Sequence, residues 1–153
     1  MTIVVDLGCY HWDEAYSLEA LAVEYQPEMI YGFDPSPLLN TSVAELGGAS
    51  IQLARAAAWL YNGEVSYLDK RMGSRAGAGD GLVPCLDFAA WLYDLGEPVV
   101  VKMDIEGGEY ELLPRLVETG ADYFIEELLL EWHRGADLDL QARLACPVWD
   151  WWM

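Results

Sequence analysis

Lysine is almost absent from this chain: two lysines among 153 residues, against 26 acids, with a formal net charge of −18 at neutral pH. A surface so short of cations repels phosphate backbones, which excludes nucleic acid as an expected partner. Cysteine is scarce as well. Cys9, Cys85 and Cys146 are odd in number, far apart and without a CxxC pair, so neither a disulfide framework nor a thiolate zinc site follows. No apolar run approaches the roughly 20 residues of a membrane span. No basic segment followed by an apolar one opens the chain. These absences predict a soluble, cytoplasmic protein with reduced thiols and no membrane partner.

What is present is apolar. The composition is 54% hydrophobic, and the length suits one domain, 1–153, with a real core. Ile3-Val4-Val5 reads as a strand closed by Asp6-Leu7-Gly8. Asp13 and Glu14 favour a helix start, and Ala15, Leu18, Ala22 and Tyr25 recur at helical spacing until Pro27. Met29 to Phe33 is a second strand, ending at Asp34. A helix is expected next, with Ser36 as its N-cap, Pro37 in its first turn and Gly47-Gly48 as its stop.

Ile51 to Leu60 should return to the sheet, and Asn62-Gly63 signals a hairpin. Residues 71–83, RMGSRAGAGDGLV, read as a loop, either a connector or a lid over a pocket. Cys85 to Leu95 is expected to be helical, with Gly96 as its stop. Val99 to Asp104 is a strand, and a short helix starts near Gly107. Pro114 is expected to divide that helix from a second one ending at Gly120. A final strand, Glu127 to Glu131, leads to Trp132-His133, and a further helix spans Leu138 to Leu144. Alternating strands and helices predict an α/β, doubly wound and mostly parallel sheet.

The acids fall in a pattern. In VVVKMDIEGGEYELL, Asp104, Glu106 and Glu109 follow directly on an apolar strand. Asp6, Asp34, Asp104 and Glu131 all stand at strand carboxyl ends, the edge along which such sheets bind ligands. Asp34, 26 residues after Gly8, is where an acid holds two ribose hydroxyls. The loop after Gly8 reads Cys-Tyr-His-Trp and lacks the glycines that bring a pyrophosphate onto a helix N-terminus. A nucleoside with a cationic centre fits instead, and S-adenosylmethionine is such a ligand. The candidate cofactor-binding residues are Asp6, Gly8, Cys9, Asp34 and Pro35.

The segments VVDLG, IYGFDPSP, AAAWLYNGEVSYL, LDFAAWL, VVVKMDIEGGEYELL and LLLEWH have the order and spacing of FkbM-type S-adenosylmethionine-dependent methyltransferases. The resemblance covers about residues 3 to 133, and KMDIEGGEYELL is its most specific block. It implies a Rossmann-like class I methyltransferase fold, here C-terminally shortened, and methyl transfer to a hydroxyl of a small molecule or sugar. Trp12 departs from the family by standing where its first loop has a second glycine. An indole there is expected to crowd the cofactor's methionine end.

Asp104, Glu131 and His133 are the candidate catalytic residues, with His133 as the base because imidazole titrates near neutrality. His11 is read as a loop residue. Lys102 is expected in an internal ion pair. Glu109 is read as an ordinary acid at a helix N-terminus, and Glu106 stays open between that and a site role. This reading assigns no metal ligands. Two rivals remain: a methyltransferase-like binding module without catalysis, and a metal-dependent enzyme using Asp104, Glu106, Glu131 and His133. Trp149, Trp151 and Trp152 read as a tail over the sheet edge, or as a homodimer contact.

Overall fold

The computed structural model describes residues 1–10, 16–68, 75–76 and 81–151. His11, Trp12, Trp152 and most of the 71–83 loop lie outside the described residues, as do the expectations attached to them. The first strand, β1, spans Ile3–Leu7, and helix α1 spans Tyr16–Tyr25. Strands β2 (Met29–Phe33), β3 (Glu45–Leu46) and β4 (Ala49–Ala54) follow. Strands β5 (Ala57–Trp59), β6 (Gly63–Leu68), β7 (Arg75–Ala76) and β8 (Gly81–Asp87) come next. Helix α2 (Phe88–Leu95), strand β9 (Val99–Met103) and helix α3 (Glu109–Thr119) precede a 3₁₀ turn at Ala121–Phe124. Strand β10 (Ile125–Leu130), helix α4 (Leu138–Arg143) and strand β11 (Val148–Asp150) complete the order.

Seven strands form the main sheet in the order β11-β10-β9-β1-β2-β4-β3, parallel throughout except for β3. Strands β1 and β9 are buried along their whole length, which explains why they read as unbroken apolar runs rather than alternating ones. Val5, Leu7, Val101 and Met103 join the core under α2, α3 and α4 on one face. Val4, Ile30 and Val100 meet Leu18, Leu21 and Ala22 of α1 on the other. The sheet is therefore covered on both sides, as its sequence predicts. No helix among the described residues is long and apolar enough to cross a membrane.

Several expected elements differ. No helix follows Ser36: Ser36 closes a single turn to Leu39, and Asn40 Oδ1 takes the Ser42 amide and hydroxyl. Such local bonds compete with a helix for the backbone. Gly47-Gly48 instead turns the β3–β4 hairpin. The apolar stretch from Ile51 splits, β4 entering the main sheet and β5 a second sheet of order β5-β8-β6-β7. The Asn62-Gly63 hairpin does not form, because β8 lies between β5 and β6. Asn62 Oδ1 accepts the Asp87 amide instead.

Residues 81–83 and Cys85 to Asp87 are strand, and Asp87 caps α2 by accepting the Ala90 amide. Pro114 sits inside an uninterrupted α3. One lost backbone bond is outweighed there by Leu112, Leu113 and Leu116, all fully buried. The tail becomes β11, a parallel edge strand on β10; Trp149 is exposed and Trp151 packs against the α1 face.

Candidate functional site

Strand order reverses between β1 and β9. From β1 the chain proceeds to β2 on one side, and β9 later lies against the other. The crevice beyond two such carboxyl ends is where open parallel sheets bind ligands. Here the two ends touch closely. Asp104 N donates to Leu7 O at 3.1 Å, and on the opposite side of β1 Gly8 N donates to Phe33 O of β2 at 2.9 Å.

Asp6 lies at the same register as Lys102 on the adjoining strand, with their charged groups 3.0 Å apart and both side chains fully buried. Ser17 donates to the other Asp6 oxygen at 2.8 Å. The Lys102 ammonium also donates to Gly8 O at 2.8 Å. Lys102 is thus in an internal pair, with Asp6 across the sheet rather than with its strand neighbour Asp104, and the Asp6 carboxylate is fully buried. Cys9 is likewise enclosed. Its side chain is buried in the α1-side core, and all three cysteines are free and buried.

Asp34, at the end of β2, accepts the Tyr10 amide at 3.1 Å on Oδ2 and the Ser36 amide at 2.9 Å on Oδ1. The half-buried Pro35 separates the two turns. Burial drives the Asp34 carboxyl up to about 6, against the opposing pull of those amides. An unfolded aspartate titrates near 3.9, so the folded chain holds this proton more tightly. The stability the group confers is full below about pH 4 and is lost as pH rises through 6, about 2–3 kcal/mol in all. Urea unfolding of the parent and Asp34→Asn should show this as a stability difference that moves against the parent from pH 4 to 7. A difference independent of pH would mean that folding does not raise the Asp34 pKa.

The densest polar cluster gathers at the ends of β9 and β10. His133 Nε2 lies 3.2 Å from Asp104 Oδ1, 3.3 Å from Glu106 Oε2 and 3.6 Å from Glu131 Oε2. Its Nδ1 lies 2.9 Å from Glu109 Oε1, and the same oxygen accepts the His133 amide. Glu109 Oε2 accepts the Gly107 amide at 2.9 Å. Glu106 adopts a left-handed φ of 54°, uncommon for a side chain of its kind. Asp104 Oδ1 and His133 Nε2 are both cut off from solvent, and among the described residues neither makes a hydrogen bond of good geometry.

This geometry brings Asp104, Glu131 and His133 together as the sequence predicts, and it corrects two roles. Burial opposes a charge on His133, but the surrounding Asp104, Glu106 and Glu109 carboxylates outweigh it and raise the ring to about 12. With no ion bound, the carboxylates therefore favour the protonated ring, which argues against His133 as the general base. Glu131 is lifted instead, by burial and by contact with Asp104, to about 7. Asp104 is lifted by burial but held down at about 2 by His133, Lys102 and Glu131.

The second correction is Glu109, which is fully buried and fixes the imidazole rather than merely facing the helix dipole. An acid opening a helix directly after a strand-end acid was its one trace in the sequence. No protein-family model, curated protein or solved structure matches the chain.

Proposed function

We propose that the chain is an S-adenosylmethionine-dependent methyltransferase of FkbM type acting on a hydroxyl of a small molecule or sugar. The observation that carries this reading is the common edge. Gly8, Asp34 and Asp104 end three adjacent parallel strands beside the point where strand order reverses. Asp34 suits a ribose because, among the described residues, each of its oxygens accepts one amide and keeps a second acceptor position. The acids at the ends of β9 and β10 suit a cationic sulfonium.

S-adenosylmethionine, when bound, supplies a methyl group already activated by positive charge. The residues then have three tasks. Asp34 and Pro35 hold the nucleoside, and the backbone at Gly8 shapes the crevice floor. Glu131, the most open acid of the cluster at 40% exposed, receives the acceptor's proton, a transfer suited to a positioned carboxylate.

Calorimetry with S-adenosylhomocysteine tests this. The parent should bind, and Asp34→Ala should bind at least tenfold more weakly, because two charge-assisted hydrogen bonds of about 1.5–3 kcal/mol each are lost. Equal affinity in the two proteins, or none in the parent, would remove the cofactor from the crevice.

A further inference from the structure

We infer that Asp104, Glu106, Glu131 and His133 form a binding site for one divalent first-row metal ion. The cluster is more than a group of acids. Asp104 Oδ1 and His133 Nε2 lie 3.2 Å apart, both shut off from water and, among the described residues, neither in a hydrogen bond of good geometry. The Asp104 side chain is only 9% exposed. A buried carboxylate oxygen with no well-aligned donor is costly, and an ion that takes the place of the ring's Nε2 proton would satisfy both atoms.

The spacing fits. Donor atoms of Asp104, Glu106 and His133 all lie within 4.8 Å of one another. Nε2 stands 3.2, 3.3 and 3.6 Å from the three carboxylate oxygens. Adjacent ligands of a six-coordinate ion with bonds near 2.1 Å are about 3.0 Å apart, so a small closure completes the shell.

The surroundings match a metal-bound histidine. Such a ring donates its other nitrogen to a carboxylate, which fixes its orientation. Glu109 holds Nδ1 at 2.9 Å and is itself anchored by the Gly107 and His133 amides. Those bonds turn Nε2 toward the three acids. One imidazole with three carboxylates suits manganese and its neighbours better than magnesium or calcium, which favour oxygen alone. The site shares Asp104 and Glu131 with the cofactor reading but requires no part of the Asp34 turn, so ion binding can be measured without the cofactor.

The test is titration of manganese(II) into chelator-treated protein without any cofactor, followed by calorimetry and by the loss of the free-ion electron paramagnetic resonance signal. One ion per chain should bind at micromolar Kd, with magnesium at least tenfold weaker. Glu106→Gln and Glu131→Gln alter half-exposed side chains that the fold does not depend on, and each should weaken manganese at least tenfold. Glu109→Gln should weaken it tenfold or more although it touches no ion.

Two results would overturn the site. One is a folded parent that binds no manganese below millimolar concentration. The other is affinity unchanged in the Glu106→Gln/Glu131→Gln double variant, which would place the ion among other surface acids. S-adenosylhomocysteine binding, measured separately with chelator present, reports on the cofactor crevice alone, so either reading can fail without the other.

Discussion

Gly8→Ala is expected to cost on the order of 4 kcal/mol or more in urea unfolding, at the extreme of single substitutions. A β-carbon on Gly8 would stand 1.8 Å from the Asp104 carbonyl oxygen and 2.8 Å from its carbon. Both are backbone atoms, so no rotamer change relieves the clash. The backbone cannot retreat either. Gly8 is tied to Phe33 through its amide and to Lys102 through its carbonyl, while Asp104 N is bonded to Leu7. Its φ of +79° adds the ordinary left-handed penalty.

Gly48→Ala separates the two contributions, since Gly48 has a φ of +87° but nothing within 4 Å of the added carbon. That variant should lose only about 1–2 kcal/mol. If the two substitutions cost the same, the close approach of β1 and β9 is softer than the geometry indicates. A large excess at Gly8 would mean that this glycine is required by the meeting of the two strand ends, whatever binds beyond them.

The parts of the fold visible in the sequence are those decided locally. Ile3 to Leu7 and Val99 to Met103 are apolar at every position, and only a strand covered on both faces uses such a run. Residues 36–48 failed as a helix because Asn40 and Ser42 satisfy the backbone among themselves, a choice between two locally acceptable outcomes. The sorting of β5 and β8 into a second sheet depends on pairing between residues 57–59 and 85–87, a partnership that no local pattern encodes. Pro114 misled for the opposite reason, since tertiary burial of its neighbours overrode a strong local signal.

The site divides the same way. Strand ends could be read, so the convergence of Asp104, Glu131 and His133 could be read with them. The Asp6–Lys102 pairing required the register of two strands nearly a hundred residues apart. Glu109 required the placement of α3 beside the end of β10, which brings its carboxylate within hydrogen-bond reach of His133 Nδ1.

Lys102→Met is expected to destabilise by about 3–5 kcal/mol, because it strands the Asp6 charge in a site without water. The ammonium makes three contacts that no other group can supply: Asp6 at 3.0 Å, Gly8 O at 2.8 Å and Leu7 O at 3.4 Å. Adding Asp6→Asn should recover part of the loss. The amide keeps a partner for Ser17 and carries no charge, so the double variant should be more stable than the sum of the singles by about 1–3 kcal/mol. Burial works against the Lys102 charge, but Asp6 and Asp104 beside it more than compensate and hold its pKa above the ordinary value. A pKa raised by folding confers stability in full below the unfolded value, near 10.4, and loses it as pH rises through the folded one. The parent's advantage over Lys102→Met should therefore stay flat from pH 7 to 9 and fade only in stronger alkali. Costs that simply add would show that Asp6 and Lys102 are separately solvated rather than paired. The fastening of the first loop to β9 would then rest on the backbone contacts of Gly8 alone.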